Sequence, residues 1–139
     1  MGLVIDSNIF IDAEHQRLVW SELKIIQAYD EAYIAAITAS ELLAGVHLAK
    51  TLDSRIKRSA FVEGILGVIP CLAFDEAVAR TYAELYAHSL KSLKSRSRST
   101  LNVHDLQISA TAVTHGFAVL TNNVEDFKKV PGLKVEIPH

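Results

Sequence analysis

This sequence predicts an α/β fold, a three-layer α/β/α sandwich around a central, mainly parallel sheet of four to five strands. Three observations carry that reading. Short uninterrupted apolar runs, "LVI" at 3–5, "AYIAAI" at 32–37 and "FAVL" at 117–120, mark strands buried on both faces. Between them lie segments with apolar residues at helical spacing, so strand and helix alternate along the chain. The 139 residues, half of them hydrophobic and 22% charged, suit one domain over 1–139 with a substantial core.

The first strand, Leu3 to Ile5, stops abruptly at Asp6, and Ser7 and Asn8 suit a strand-to-helix turn. "NIFIDAEHQRLVWSELKIIQAYD", with Leu18, Leu23, Ile25 and Ile26 among its apolar positions, reads as helices. Residues 32–37 form the second strand, "TASELLAGVHLAK" opens a helix, and helix continues over 51–66. "GVIPCLAF" at 67–74 is the third strand, with Pro70 at an edge or bulge because proline cannot donate to a ladder. Its Cys71, among Ile69, Leu72 and Phe74, reads as a buried thiol. "DEAVARTYAELYAHSLKSLK" is helical, and "KSLKSRSRST" at 91–100 reads as an exposed connection. "NVHDLQISATAVTHG" is a helix closed by Gly116. "FAVL", "NVEDFKKV" and "LKVEI" are then the fourth strand, a short helix and the last strand. Tyr29, Tyr33, Tyr82 and Tyr86 fall mostly on positions that suit the core.

Composition narrows the function classes. The longest apolar stretch, "GILGVIPCLAF" at 64–74, is too short to span a bilayer and contains a proline, so a cytoplasmic protein with no membrane partner is expected. One cysteine forms no internal disulfide. A net charge of −2 argues against a generally basic nucleic-acid binder but leaves local patches open.

In open α/β sheets ligands bind outside the carboxyl ends of the strands. Asp6 lies at such an end. Glu41 falls in the helix after the second strand, Asp105 in the first turn of the helix feeding the fourth, and Asn123 and Asp126 begin the short helix just beyond it. Acidic groups from distant parts of the chain are thus steered to one rim, where they repel one another. A hard divalent cation such as Mg2+ or Mn2+ relieves that repulsion, because both favour oxygen ligands. Each acid also has a plainer explanation. Thr38 with Glu41, Asn102 with Asp105, and Asn123 with Asp126 all have the offset of a capping box, and Asp6 itself suits a helix cap. Capping does not require convergence on one edge.

"VIDSNIFID", "ITASELLAGV", "NVHDLQISATAV" and "VLTNNVEDFKKVPGLKVE", in this order and over nearly the whole chain, resemble the PIN-domain nucleases, in particular ribonuclease toxins of the VapC type. The resemblance implies a PIN-like parallel sheet flanked by helices, Mg2+-dependent endoribonuclease activity (Mn2+ as substitute), a homodimer, and inhibition by a VapB-like antitoxin. It places the family's acids on Asp6, Glu41 and Asp105, the metal ligands, with Asn123 and Asp126 completing the catalytic set. Asn123 stands where many relatives carry aspartate, so an amide oxygen or Asp126 makes the final contact. "SRSRSTLNVH" replaces the glycine-containing turn that often precedes the third acid. With no nucleophilic Ser/His/Asp order or Cys/His pair, the attacking group is metal-activated water; by resemblance the products carry a 5′ phosphate and a 3′ hydroxyl. His104 adjoins Asp105 and reads as a solvated or capping histidine.

The substrate backbone is expected to be held away from the acids. Between Leu85 and His104 no Asp or Glu occurs, whereas Lys91, Lys94, Arg96 and Arg98 do; the run is either an RNA-phosphate contact or a solvated loop. Lys128, with Lys129, lies near the same rim. RNA is the expected substrate, transfer RNA among the candidates. Trp20, Leu18, Ile25 and "ELLAGVHLA" serve either the core or a dimer and antitoxin surface. Two rival classes fit less well. A haloacid dehalogenase-like phosphohydrolase would use Asp6 as nucleophile but wants a later lysine, an acidic pair and a cap domain. A receiver-like or degenerate binding module would place an aspartate at the end of the third strand, and Asp75 comes only at a helix start.

Overall fold

The computed structural model describes residues 1–93 and 102–138. Lys94, Arg96 and Arg98 lie outside them. Five strands, β1 (Gly2–Ile5), β2 (Glu31–Ala35), β3 (Cys71–Leu72), β4 (Ala118–Leu120) and β5 (Val135–Glu136), make one sheet in the order β3-β2-β1-β4-β5, every pair parallel. The helices are α1 (Ser7–Glu14), α2 (Lys24–Gln27), α3 (Ala36–His47), α4 (Leu52–Val68), α5 (Glu76–Leu93), α6 (Val103–His115) and α7 (Val124–Phe127), with a 3-10 turn at Trp20–Glu22.

β1 shows why the apolar runs are continuous. Its alternate side chains feed opposite faces: Leu3 and Ile5 join Ile9, Phe10, Ile34 and Leu42 on one side, and Val4 joins Ile108, Ala112, Val119 and Phe127 on the other. A third cluster, Val78, Leu85, Leu106, Ala110 and Val130, holds α5 against α6. The expected sandwich with a parallel sheet is therefore what forms. Leu18, Trp20, Ile25 and Ile26 pack against the first cluster, so they are core in part, and Trp20 stacks on Phe10 at 5.9 Å.

Four expectations change. The second strand ends at Ala35 and helix begins at Ala36, so Thr38 lies inside α3, fully buried, and no side chain caps that helix. The Thr38–Glu41 capping box does not exist, which frees Glu41 from that explanation. The third strand is only two residues long, because α4 runs on to Val68 and Pro70 contributes only its carbonyl, to Ile34 N–H. Cys71 is exposed on that edge strand and is not the buried thiol its neighbours suggest. Tyr86 is 46% exposed, stacked on Tyr82 rather than enclosed. No helix among the described residues is long and apolar enough to cross a membrane.

Candidate functional site

Asp6 stands where β1 hands over to α1. Its extended backbone makes it the N-cap of α1, and Oδ1 accepts Ser7 N–H at 2.8 Å. Oδ2 accepts the Thr121 hydroxyl at 2.7 Å and the Asn8 amide at 3.1 Å. Capping and site position coincide here. Asp6 is 3% exposed, and burial raises its pKa against the lowering effect of the hydrogen bonds from Thr121 and Ser7.

Asp105 enters from the opposite direction. Asn102 caps α6 by accepting Asp105 N–H at 2.8 Å, which fixes the first turn and leaves the Asp105 side chain inward and buried. Burial first, then the charges of Asp6, Asp126 and Glu41, push its carboxyl to about 6. Glu41, in the second turn of α3, is raised chiefly by burial and also by Asp6, with His104 acting the other way. Its Oε2 meets His104 Nδ1 at 3.4 Å, while its Oε1 is buried with no hydrogen-bond partner.

Asn123 ties the far side together. Its amide nitrogen donates to Asp126 Oδ2 at 2.9 Å and, at 3.4 Å, to Asp105 Oδ2, and its backbone N–H donates to Thr121 Oγ1 at 2.8 Å. It thus turns a donor, not its oxygen, to the two acids. Asp126 also pairs with Lys129 at 3.7 Å. The five expected residues therefore lie in one hydrogen-bonded and electrostatically coupled group, contributed by β1, α3, α6 and the β4–α7 junction. Among the described residues, no three His, Cys, Asp or Glu side chains are drawn together tightly enough to hold a metal ion as they stand. The three acids nevertheless suit a hard cation: their donors are all oxygen, with one carboxylate oxygen buried and unpartnered and one carboxyl raised by burial and then by neighbouring negative charge.

Lys128 is exposed just past α7, and Lys91 is exposed in the last turn of α5. Sequence reasoning gave Thr121 no role; its only signal was a place in the "TNN" following β4. The Asn8–Asn122 link was also missed: Asn122 N–H donates to Asn8 Oδ1 at 3.3 Å and its amide to Asp12 at 2.7 Å.

Residues 3–133 match the family model described as PIN domain. Ribonuclease VapC1 of Rickettsia felis is 38% identical over 138 residues, spanning 97% of this chain and 95% of that one. Among solved structures, VapBC-5 of Mycobacterium tuberculosis, a member of the VapBC family of toxin-antitoxin systems, aligns with a TM-score of 0.73 at 28% identity, over 99% of this chain and 98% of that one. VapBC2 of Rickettsia felis, bound to a promoter DNA fragment, aligns over the full length of both chains with a TM-score of 0.86 at 20% identity, which speaks to the fold. With a family-model match over residues 3–133 and a relative 38% identical over nearly the whole length of both chains, the chain belongs to the PIN-domain family and, within it, to the VapC ribonucleases.

Proposed function

We propose that this chain is a divalent-cation-dependent endoribonuclease, the toxin of a type II toxin–antitoxin pair, and that it hydrolyses RNA phosphodiester bonds with water as nucleophile. The observation that carries the reading is the coupling of Asp6, Glu41 and Asp105. Three acids from the end of β1, α3 and α6 sit close enough that, on top of burial, Asp6 raises Glu41 and both of them help raise Asp105 to about 6. Its relatives carry ribonuclease in their names.

Asp6, Glu41 and Asp105 would hold Mg2+, or Mn2+ in its place, with Asn123 and Asp126 completing the surroundings. When bound, the cation supplies Lewis acidity to the scissile phosphate and acidifies the attacking water. The chain's own residues then set the geometry. Asp6 is locked by Thr121, Asn8 and Ser7, so its oxygens are fixed before substrate arrives. Asn123 holds Asp105 and Asp126 at a constant separation across the α6–α7 rim. Asp6 itself is a poor nucleophile, since it is 3% exposed and both oxygens are occupied by donors; this disfavours the phosphohydrolase alternative.

An antitoxin partner belongs to the same reading, because the aligned structures are VapBC complexes. An apolar groove of about 390 Å³, lined by Phe10, Trp20, Phe61, Ile65 and Val68, supports a peptide-like inhibitor lying across α1 and α4. Homodimerisation and a cytoplasmic site of action complete the proposal, the former supported by Tyr86 and Leu90, exposed one turn apart on α5.

The experiment is cleavage of a mixed RNA pool with Mg2+ and with chelator, using the Asp6→Asn variant as control. Cleavage that needs the cation and vanishes in the variant is the expected result. Cleavage that persists in chelator, or a trapped phosphoaspartate, overturns it.

A further inference from the structure

Among the described residues, His104 is the cationic-capable side chain paired with Glu41, and it reaches it from another helix. It sits on the first turn of α6, immediately before Asp105, while Glu41 sits on α3; Nδ1 and Oε2 are 3.4 Å apart across the gap between the two helices. The imidazole is half exposed, so it is not held there by burial. The two oxygens of Glu41 are consequently unlike: Oε2 has the His104 Nδ1 3.4 Å away at the rim, and Oε1 is buried with no hydrogen-bond partner. A glutamate has three side-chain torsions, and one anchored oxygen removes most of that freedom for the other.

Resting on the metal-dependent reading above, we propose that His104 is a positioning residue for Glu41: by donating from Nδ1 to Oε2 it fixes the carboxylate so that Oε1 is the oxygen left for the cation. The role needs a proton on Nδ1, which one neutral tautomer already carries, and so does not depend on the charge of the ring. A half-exposed histidine serving only as a solvated helix-terminal residue would leave Glu41 indifferent to its removal. His104 acts through Glu41 and touches neither RNA nor the reacting atoms.

The test compares His104→Ala with His104→Asn. The asparagine amide nitrogen lies as many bonds from Cα as Nδ1 does, so it restores a donor at that point without a ring. Mn2+ binding is measured in the absence of RNA, by titration calorimetry, on protein whose fold is verified by circular dichroism. Removal of an outer partner of a metal ligand weakens affinity by about tenfold or more, so His104→Ala is expected to bind Mn2+ about tenfold less tightly and His104→Asn to recover most of the loss. In cleavage at saturating Mn2+, KM for RNA stays unchanged while kcat falls in the alanine variant. Unchanged Mn2+ affinity in folded His104→Ala overturns the proposal, as does an asparagine variant no better than alanine, or a loss confined to KM, which would make His104 an RNA contact. If wild-type protein takes up no Mn2+ at all, the metal-dependent reading falls and this inference with it; wild-type binding with an indifferent alanine variant sinks this inference alone.

Discussion

The hydroxyl of Thr121 donates to Asp6 Oδ2 at 2.7 Å and receives the backbone N–H of Asn123 at 2.8 Å, so one buried oxygen joins the ends of β1 and β4 to the start of α7. Thr121→Val keeps the shape and removes both bonds, together with the one the hydroxyl accepts from the Asn8 amide at 3.4 Å. A buried donor and a buried carboxylate oxygen then lose a partner, at a cost of about 1–3 kcal/mol. Thr121→Ser restores the hydroxyl and is expected to recover most of it. Urea denaturation of the three proteins, with equal slopes, reads the difference; a valine variant as stable as wild type would mean that the Asp6 oxygen is satisfied without Thr121.

Asp105 makes apo stability depend on pH with a definite sign. Its carboxyl lies at about 6 in the fold against an ordinary 3.8. The folded state thus binds the proton more tightly, and ionisation costs stability that is absent below the unfolded value, grows between 3.8 and about 6, and is complete by neutral pH. Asp105→Asn removes this cost. In metal-free buffer the variant is expected to be more stable by on the order of 1 kcal/mol at about pH 7, a figure discounted for the solvent at the rim, and equal to wild type near pH 4. Cleavage is lost. Added Mg2+ is expected to raise the melting temperature of wild type and not of the variant. A variant that is less stable at every pH would make Asp105 chiefly architectural.

How much of this was legible beforehand depends on what fixes each feature. Strands buried on both faces leave continuous apolar runs, so β1, β2 and β4 could be read directly; Asp6 could be placed at the end of β1, Asp105 in the first turn of the helix before β4, and Asn123 at the start of the helix after it. The offset of Thr38 from Glu41 is the same whether helix starts at 36 or at 38. Pairing of Tyr33 and Ala32 with β1, and of Ala35 with β3, sets where β2 stops, and that is a tertiary fact. Cys71 has apolar neighbours in sequence but lies on a two-residue edge strand, and edges leave side chains open whatever surrounds them locally. Thr121 acquires its role only because β4 lies beside β1, an adjacency between segments 115 residues apart that no local pattern contains.

Gly2 is expected to be intolerant of even a methyl group. A Cβ there would lie 2.8 Å from a ring carbon of Tyr33 and 2.9 Å from two of Phe117. Those rings stack on one another at 5.0 Å, and Phe117 stacks on His115 at 5.5 Å, so neither withdraws freely. Gly2→Ala should destabilise by about 1–3 kcal/mol, the usual cost of overpacking. Pairing it with Phe117→Leu makes room, and the double variant is expected to be more stable than the sum of the two single effects predicts. Strict additivity in thermal melts would show that the rings yield without strain.

Lys128 is the exposed cation closest in sequence to the acids, two residues beyond Asp126, whereas Lys129 is already paired with that acid at 3.7 Å. The acid cluster repels RNA phosphate, so backbone contacts must come from cations at its margin. Each phosphate contact releases counterions and steepens the salt dependence of binding by a slope of about one. Lys128→Ala is therefore expected to raise KM for RNA several-fold at low salt, to lower the slope of log KM against log salt concentration by about one, and to leave kcat unchanged. The same substitution is expected to leave Mn2+ affinity in the absence of RNA unaltered, which separates a backbone contact from a disturbance of Asp126. A variant whose salt slope equals that of wild type would place the RNA backbone away from α7 and return the role to the basic run that begins at Lys91.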